Sequence, residues 1–352
     1  MITAQVRSLT KAVLTDAMIT QPPLKQQQGS WQEALKTLIT DPLELLSVLE
    51  LSPEQLSWQL DHQFPLRVPR SFVDRMKKGD PKDPLLLQVL SLKEESQLTP
   101  ACSIDPLKEA HCNPVPGLLH KFTHRVLLTF TASCAIHCRY CFRRHFPYSD
   151  NNPGKKGWEA ALSYIAEHPA ITEVILSGGD PLIAPNKQLS HFFDQLARIV
   201  HVRLVRIHTR LPVVIPERID AGLLGCFDNR PFQSVMVYHI NHPAEIVQPI
   251  ATAVRQLKEK QITVFNQSVL LKNINDNLPC LSELSYKLFD AGILPYYVHL
   301  LDPVAGAGHF AVSLETAKTL QSSLRSLLPG YLLPKFVREV PGEASKIPLD
   351  IL

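Results

Sequence analysis

Glycine is scarce in this chain, with 14 residues against 29 prolines in 352. Apolar periodicity continues between the prolines, so that balance suggests many rigid loops rather than disorder. Long hydrophobic runs are missing too. No apolar stretch reaches the roughly 20 residues that a membrane-spanning helix needs. Residues 1–25 lack the continuous apolar core of a secretory signal. An excess of one charge is also absent: 36 Lys and Arg stand against 33 Asp and Glu, a formal net charge of +3. Nothing in that balance points to nucleic acid or a membrane surface as a partner. Cysteines in separate pairs are missing as well. Cys102, Cys112, Cys226 and Cys280 stand singly, and the total of seven is odd, which argues against a disulfide framework and for a reducing cytoplasm.

What is present is a chain with 45% hydrophobic residues, enough to bury a large core. It also carries the run Cys134-Ala-Ile-His-Cys138-Arg-Tyr-Cys141, a C-x₃-C-x₂-C spacing. Three thiolates on one short loop can hold three irons of a [4Fe–4S] cluster. Clusters kept for electron transfer usually take four cysteines, so a missing fourth ligand points to chemistry at the open iron. Structural zinc is the plainer alternative, with His137 or His145 completing a Cys₃His set. Zinc sites usually show two paired spacings, and here there is one cluster.

From residue 126 onward a pattern repeats. Short β-prone runs at 126–131, 172–177, 202–208, 234–239, 262–269 and 295–301 alternate with helical spacing at 158–168, 189–200, 216–226, 244–260, 280–291 and 314–328. After the first, the strands recur roughly every 30 residues, the length of a βα unit in a parallel sheet. Six units are two short of a closed eight-fold barrel. The expected fold is α/β, a partial (βα)₆ barrel over 111–330, with a helical N-terminal extension over 1–110 and a C-terminal tail over 331–352. Helical spacing at 31–39 and 43–51, and the helix start Ser52-Pro53-Glu54, support the extension.

Functional residues of parallel barrels gather at the C-terminal ends of strands. Each strand here is followed by a polar or glycine-containing group. They are the three cysteines, Ser177-Gly178-Gly179-Asp180-Pro181, His208-Thr209-Arg210, His239-Ile240-Asn241-His242-Pro243, Asn266-Gln267-Ser268 and Asp302. Packing explains any one of these but not all six together. Singly they are weak: Gly-Gly at a turn is usually only a turn, and His208 and His239 alone read as satisfied core histidines. Arg143 and Arg144 read either as a solvated basic patch or as an anion contact beside the cysteines. Lys346, on the loop Pro341-Gly342-Glu343-Ala344-Ser345-Lys346-Ile347-Pro348, reads alone as a surface lysine.

Together these residues resemble the lysine 2,3-aminomutase family of radical S-adenosylmethionine (SAM) enzymes. The motifs that carry the resemblance are the cysteine triad with Phe142-Arg143-Arg144, Ser177-Gly178-Gly179-Asp180-Pro181-Leu182, Ile207-His208-Thr209-Arg210-Leu211-Pro212, Asn241-His242-Pro243 and Asn266-Gln267-Ser268-Val269-Leu270-Leu271. It spans about residues 118–348, and the extension more loosely. It implies a [4Fe–4S] cluster on Cys134, Cys138 and Cys141, SAM on the open iron, and pyridoxal 5′-phosphate (PLP). Ser177, Gly178, Gly179, Asp180, His239 and Gln267 fall at positions like the family's SAM contacts. Lys346 matches the lysine that carries PLP, Arg125 the PLP-phosphate contact, and Phe122 an aromatic neighbour that is typically tyrosine. Arg143 matches the contact to the substrate carboxylate, which a guanidinium binds bidentately. Asp302 and Glu339 match two carboxylates around the substrate's side-chain ammonium, with Glu339 in place of a shorter aspartate. Two acids there favour a cationic substrate and repel glutamate.

The implied activity is the isomerisation of L-α-lysine to (R)-β-lysine by radical 2,3-amino migration. The short length resembles the bacterial form that serves β-lysylation of elongation factor P. That implies a reductant such as flavodoxin or ferredoxin, and a functional link to the factor and its lysyl-tRNA-synthetase-like ligase. The lysine loop departs from the family's usual run of glycines, so its backbone freedom is expected to be lower. An aminomutase of another amino acid is the rival within enzymes. A zinc-stabilised, non-catalytic binding module is the rival outside them.

Overall fold

The computed structural model describes residues 30–97, 102–151 and 154–351. The expectation about a signal in residues 1–25 therefore lies outside the described residues. Strands β1 (Leu118–Phe122) and β2 (Arg125–Thr131) form an antiparallel hairpin. Strands β3 (Glu173–Gly178), β4 (Leu204–Thr209), β5 (Gln233–His239), β6 (Thr263–Leu270), β7 (Leu294–Leu300) and β8 (Lys335–Arg338) continue parallel to β2. Strand β9 (Ile347–Pro348) returns antiparallel on β8. The nine strands lie in chain order, and β1 and β9 remain as separate edges, so the sheet is open.

Helices Gly154–Glu167, Asn186–Leu196, Ala221–Gly225, Gln248–Glu259, Leu278–Asp290 and Leu314–Leu327 follow β2 to β7 in turn. These are the six expected βα units. Their starts are local chemistry: Asp220, Asn277 and Ser313 accept from the backbone N–H of Leu223, Cys280 and Thr316, satisfying donors the helix itself leaves free. The parallel strand β8 was not anticipated. It has four residues between Pro334 and Pro341, too few for alternation to register. The segment read as a tail thus supplies the last two strands.

Strand alternation separates two environments. Val126, Leu128 and Phe130, Val174 and Leu176, Val205 and Ile207, and Met236 and Tyr238 join one apolar core with helix residues such as Phe192, Phe193 and Leu257. Each such side chain contributes about 1.5–3 kcal/mol on burial. The alternate positions carry most of the charged and polar strand residues, Arg125, Glu173, Ser177, Arg206, His208, His239, Gln267, Tyr297 and His299, among apolar ones such as Ile175 and Val237.

The extension is less helical than expected. Helices Trp31–Lys36 and Pro42–Val48 form, but turns dominate thereafter. Tertiary contacts hold it instead: Phe72, Leu85, Leu86 and Val89 share the barrel's apolar core. Arg75 donates to the carbonyls of Val213 (2.7 Å) and Glu245 (2.8 Å). Among the described residues, no helix is long and apolar enough to cross a membrane.

Candidate functional site

The three cysteines lie on the loop that leaves β2, and all are free thiols of intermediate exposure. The neighbouring loop after β3 packs directly on them. Gly179 N–H donates to the Thr131 carbonyl and Asp180 N–H to the Ser133 carbonyl, both at 2.8 Å. A Cβ added at Gly178 (φ +106°) would lie 2.6 Å from the Thr131 oxygen, and one at Gly179 2.4 Å from the Ser133 oxygen. These glycines are therefore required by the approach of two backbones. Gly179→Ala is expected to displace the cysteine loop and lower the iron bound per chain, read by iron analysis after anaerobic reconstitution; full iron content would refute this role.

Asp180, expected at a SAM-contact position, is fully engaged by the chain itself. Its Oδ1 accepts from Thr209 Oγ1 (2.7 Å) and Leu182 N–H (3.1 Å), and its Oδ2 from the N–H groups of Arg210 (2.7 Å) and Leu211 (2.8 Å). A carboxylate has about four acceptor sites, and the chain fills them. Asp180 thereby ties the ends of β3 and β4 together.

Arg143 and Arg144 are likewise not a solvated patch. Arg144 pairs with Asp61 (2.8 Å) and Glu95 (2.9 Å) of the extension, and Arg139 shares both carboxylates. Arg143 is buried and meets Glu109 bidentately, Nε to Oε2 at 2.8 Å and Nη2 to Oε1 at 2.9 Å, while Nη1 donates to Ser177 Oγ at 3.1 Å. The Nε–Nη2 edge of the guanidinium is thus taken by Glu109, and each Nη group keeps one further hydrogen.

Glu109 begins a line of alternating charge. Lys121 Nζ lies 3.1 Å from Glu109 and 2.9 Å from Glu339, whose other oxygen pairs with Lys346 Nζ. The pairing of Arg338 with Ile347 in the β8–β9 turn places Glu339 and Lys346 opposite each other. Within this loop the left-handed backbone falls only at Gly342 (φ +90°), so the residues replacing the glycine run adopt ordinary conformations. Lys346 is not a surface lysine.

Asp302, just past β7, belongs to the same group. Burial and then the Glu339 charge push its carboxyl up to about 7. Glu339 moves the other way: burial raises it, but Lys346 and Lys121 outweigh this and hold it at about 2. His299 is pushed down to about 3 by burial and by Lys346. His208, also near Lys346 and Arg143, has Nε2 buried without a partner among the described residues; it is not a satisfied core histidine. Arg125 stacks on Phe122 (4.9 Å), and both Arg125 and Arg206 lie near Tyr297.

At the ends of β5 and β6, His239 and Gln267 are register neighbours. His239 Nε2 hydrogen-bonds Tyr140 Oη at 3.0 Å, and burial keeps the ring neutral. Tyr140 also accepts from Asn241 Nδ2 (2.7 Å) and Arg210 Nη1 (2.6 Å).

The residues fit a cluster. Burial, Asp180 and the other two thiols push the Cys134 thiol well up, and burial with Cys138 pushes Cys141 up to about 11. Cys134 and Cys141 are thus disfavoured as thiolates, a cost that the positive charge of bound iron would offset. For the Cys₃His alternative, each candidate histidine bonds a backbone carbonyl through one ring nitrogen and keeps the other. His137 Nδ1 bonds the Pro65 carbonyl (2.8 Å) and His145 Nε2 the Ala305 carbonyl (3.1 Å). Among the described residues, no three His, Cys, Asp or Glu side chains converge on one ion. A cubane, whose three protein-bound irons are separate atoms, does not require that convergence.

Sequence reasoning missed Glu109, Lys121, Arg206, Tyr140 and Glu245. Glu109 stands in a polar stretch with no periodicity. Lys121 carried a readable signal, since it precedes Phe122 and lies near Arg125 in the hairpin.

The profile of the 4Fe-4S single cluster domain matches residues 124–206. The chain is 48% identical to the L-lysine 2,3-aminomutase of Escherichia coli (strain K12), over 91% of this chain and 94% of that protein. Against the enzyme of the same name from Haemophilus influenzae, identity is 46% over 94% and 98%. Against that from Clostridium subterminale it is 32% over 91% and 78%, so the match in length is to the shorter relatives. A radical SAM methyltransferase from Sphaerobacter thermophilus superposes with a TM-score of 0.45 at 18% identity, over 63% of this chain and 68% of that one.

Proposed function

The chain belongs to the L-lysine 2,3-aminomutase family, and from that premise we propose that it converts L-α-lysine to (R)-β-lysine by radical 2,3-amino migration. It is a radical SAM isomerase with a [4Fe–4S] cluster. The observation that carries the substrate is the acidic pair Asp302 and Glu339 grouped with Lys346 at the mouth of the sheet.

Cys134, Cys138 and Cys141 hold three irons in this reading, with Ser177, Gly178, Gly179, His239 and Gln267 lining the SAM side. Lys346 carries PLP, with Arg125 toward its phosphate and Phe122 beside it. When bound, SAM at the cluster supplies the hydrogen-abstracting radical, and PLP supplies the π-system that delocalises spin during migration. The chain's own part is placement. The free edge of Arg143 takes the substrate carboxylate, with Glu109 locking the opposite edge. Asp302 and Glu339 hold the side-chain ammonium, and Lys121 keeps Glu339 aimed when Lys346 is engaged elsewhere.

The reading carries with it β-lysine supply for elongation factor P and its lysyl-tRNA-synthetase-like ligase, electrons from flavodoxin or ferredoxin, and a cytoplasmic location. Its support is the likeness in length and sequence to the short bacterial relatives. Anaerobically reconstituted protein given SAM, PLP, a reductant and L-lysine is expected to form β-lysine. A fully loaded protein that leaves lysine untouched would overturn the proposal.

The Asp302 carboxyl sets a pH dependence. An ammonium ligand favours the ionised form, so lysine binding is expected to tighten as pH rises toward 7 and to level off above it. The same group opposes stability in that range. The folded chain keeps a proton that the unfolded chain releases above about 4, so its contribution to stability falls as pH rises from about 4 through 7. Lysine KM between pH 6 and 8 should lose this dependence in Asp302→Asn; a parent profile flat over that range would contradict the assignment.

A further inference from the structure

Arg210 is a buried cation that the proposed reaction does not use. It follows β4 directly, and its Nη1 lies 2.8 Å from Cys138 Sγ. Among the described residues, no other charged side chain donates a hydrogen bond to any of the three sulfurs. The position of the guanidinium does not depend on that contact. Nη1 also donates to Tyr140 Oη (2.6 Å), and Nη2 to Gln88 Oε1 (2.7 Å) and Glu245 Oε2 (3.0 Å). The backbone N–H of Arg210 is fixed by Asp180 at 2.7 Å. Gln88, Tyr140, Arg210 and Glu245 are all buried.

We propose that Arg210 sets the reduction potential of the cluster by donating to the Cys138 sulfur, with Glu245 as the opposing charge that limits the effect. This rests on the reading that Cys138 ligates the cluster. Reduction adds one electron, and the added negative charge spreads onto the cysteine sulfurs. A fixed N–H donor and positive charge at one sulfur favours the reduced form and raises the potential. Burial keeps this from being screened by solvent or salt. Glu245 also accepts from the N–H groups of Asn241 (2.9 Å) and His242 (3.1 Å), so it is held independently of Arg210. The two charges therefore act on the cluster with opposite sign. Tyr140 links the same guanidinium to His239, so the tuning device reaches the SAM side of the site.

The test is the cluster's midpoint potential in reconstituted full-length protein, followed by electron paramagnetic resonance without SAM or lysine. Arg210→Gln is expected to lower it and Glu245→Gln to raise it. Each change should be at least about tenfold in the reduced-to-oxidised ratio at a fixed potential, ~59 mV for one electron. Arg210→Lys, which keeps the charge, should fall between Arg210→Gln and the parent. If Arg210→Gln takes up no cluster, the near-isosteric Glu245→Gln decides alone. Variants with full iron and the parent's potential overturn the inference and leave the cluster reading standing. A parent chain that binds no iron overturns the cluster reading itself.

Discussion

A Lys346→Ala chain is expected to bind its full complement of about four irons and to form no β-lysine. The amine is placed to carry a carbonyl cofactor, because the β8–β9 turn sets it opposite Glu339 and its charge is felt at Asp302. The cysteine loop stands on other elements, after β2 and against the β3 loop, so iron content should not follow the loss of turnover. Lys346→Arg separates the two roles of the residue. It keeps a cation on Glu339 but offers no comparable nucleophile, and it too should be inactive. The measurements are product by chromatography, iron analysis and the visible absorbance of bound PLP. Product formation at the parent's rate in Lys346→Ala would refute the cofactor assignment.

The next largest effect is expected at the acidic pair. Removing one partner of a buried, hydrogen-bonded charge pair costs about 2–5 kcal/mol, which is roughly 30-fold to several thousand-fold in affinity. Asp302→Asn should therefore raise the KM for L-lysine by about 30-fold or more with a smaller fall in kcat. Glu339→Gln should do the same and also loosen Lys346, since Glu339 bonds both Lys346 and Lys121. A substrate with a shorter cationic side chain, such as ornithine, should be less affected by either change. A rival specificity for glutamate predicts the opposite: neutralising either acid would improve an acidic substrate. An unchanged lysine KM in both variants would remove the pair from substrate recognition.

Much of this site is legible along the chain because it is local. The cysteine spacing, the glycine pair and the polar group after each strand are runs of a few residues, and alternation marks six of the parallel strands. The apolar periods that name those strands also say which side chains meet the helices. Strand β8 escaped notice because its four residues are too few to show a period. Asp180 follows β3 in a readable motif, but its partners come from the next strand, and nothing in that motif indicates that Thr209, Arg210 and Leu211 saturate it.

The sequence by itself determined the fold class, the cluster loop and the identity of the charged residues at the strand ends. Tertiary structure alone decided how those charges are paired. Glu109 finds Arg143 across 34 positions, Lys121 finds Glu339 across 218, and Arg210 reaches Cys138 across 72. The reason is physical. Backbone hydrogen bonding and alternation act over a few residues, whereas a buried ion must find a counter-charge anywhere in the folded chain or pay for desolvation unaided.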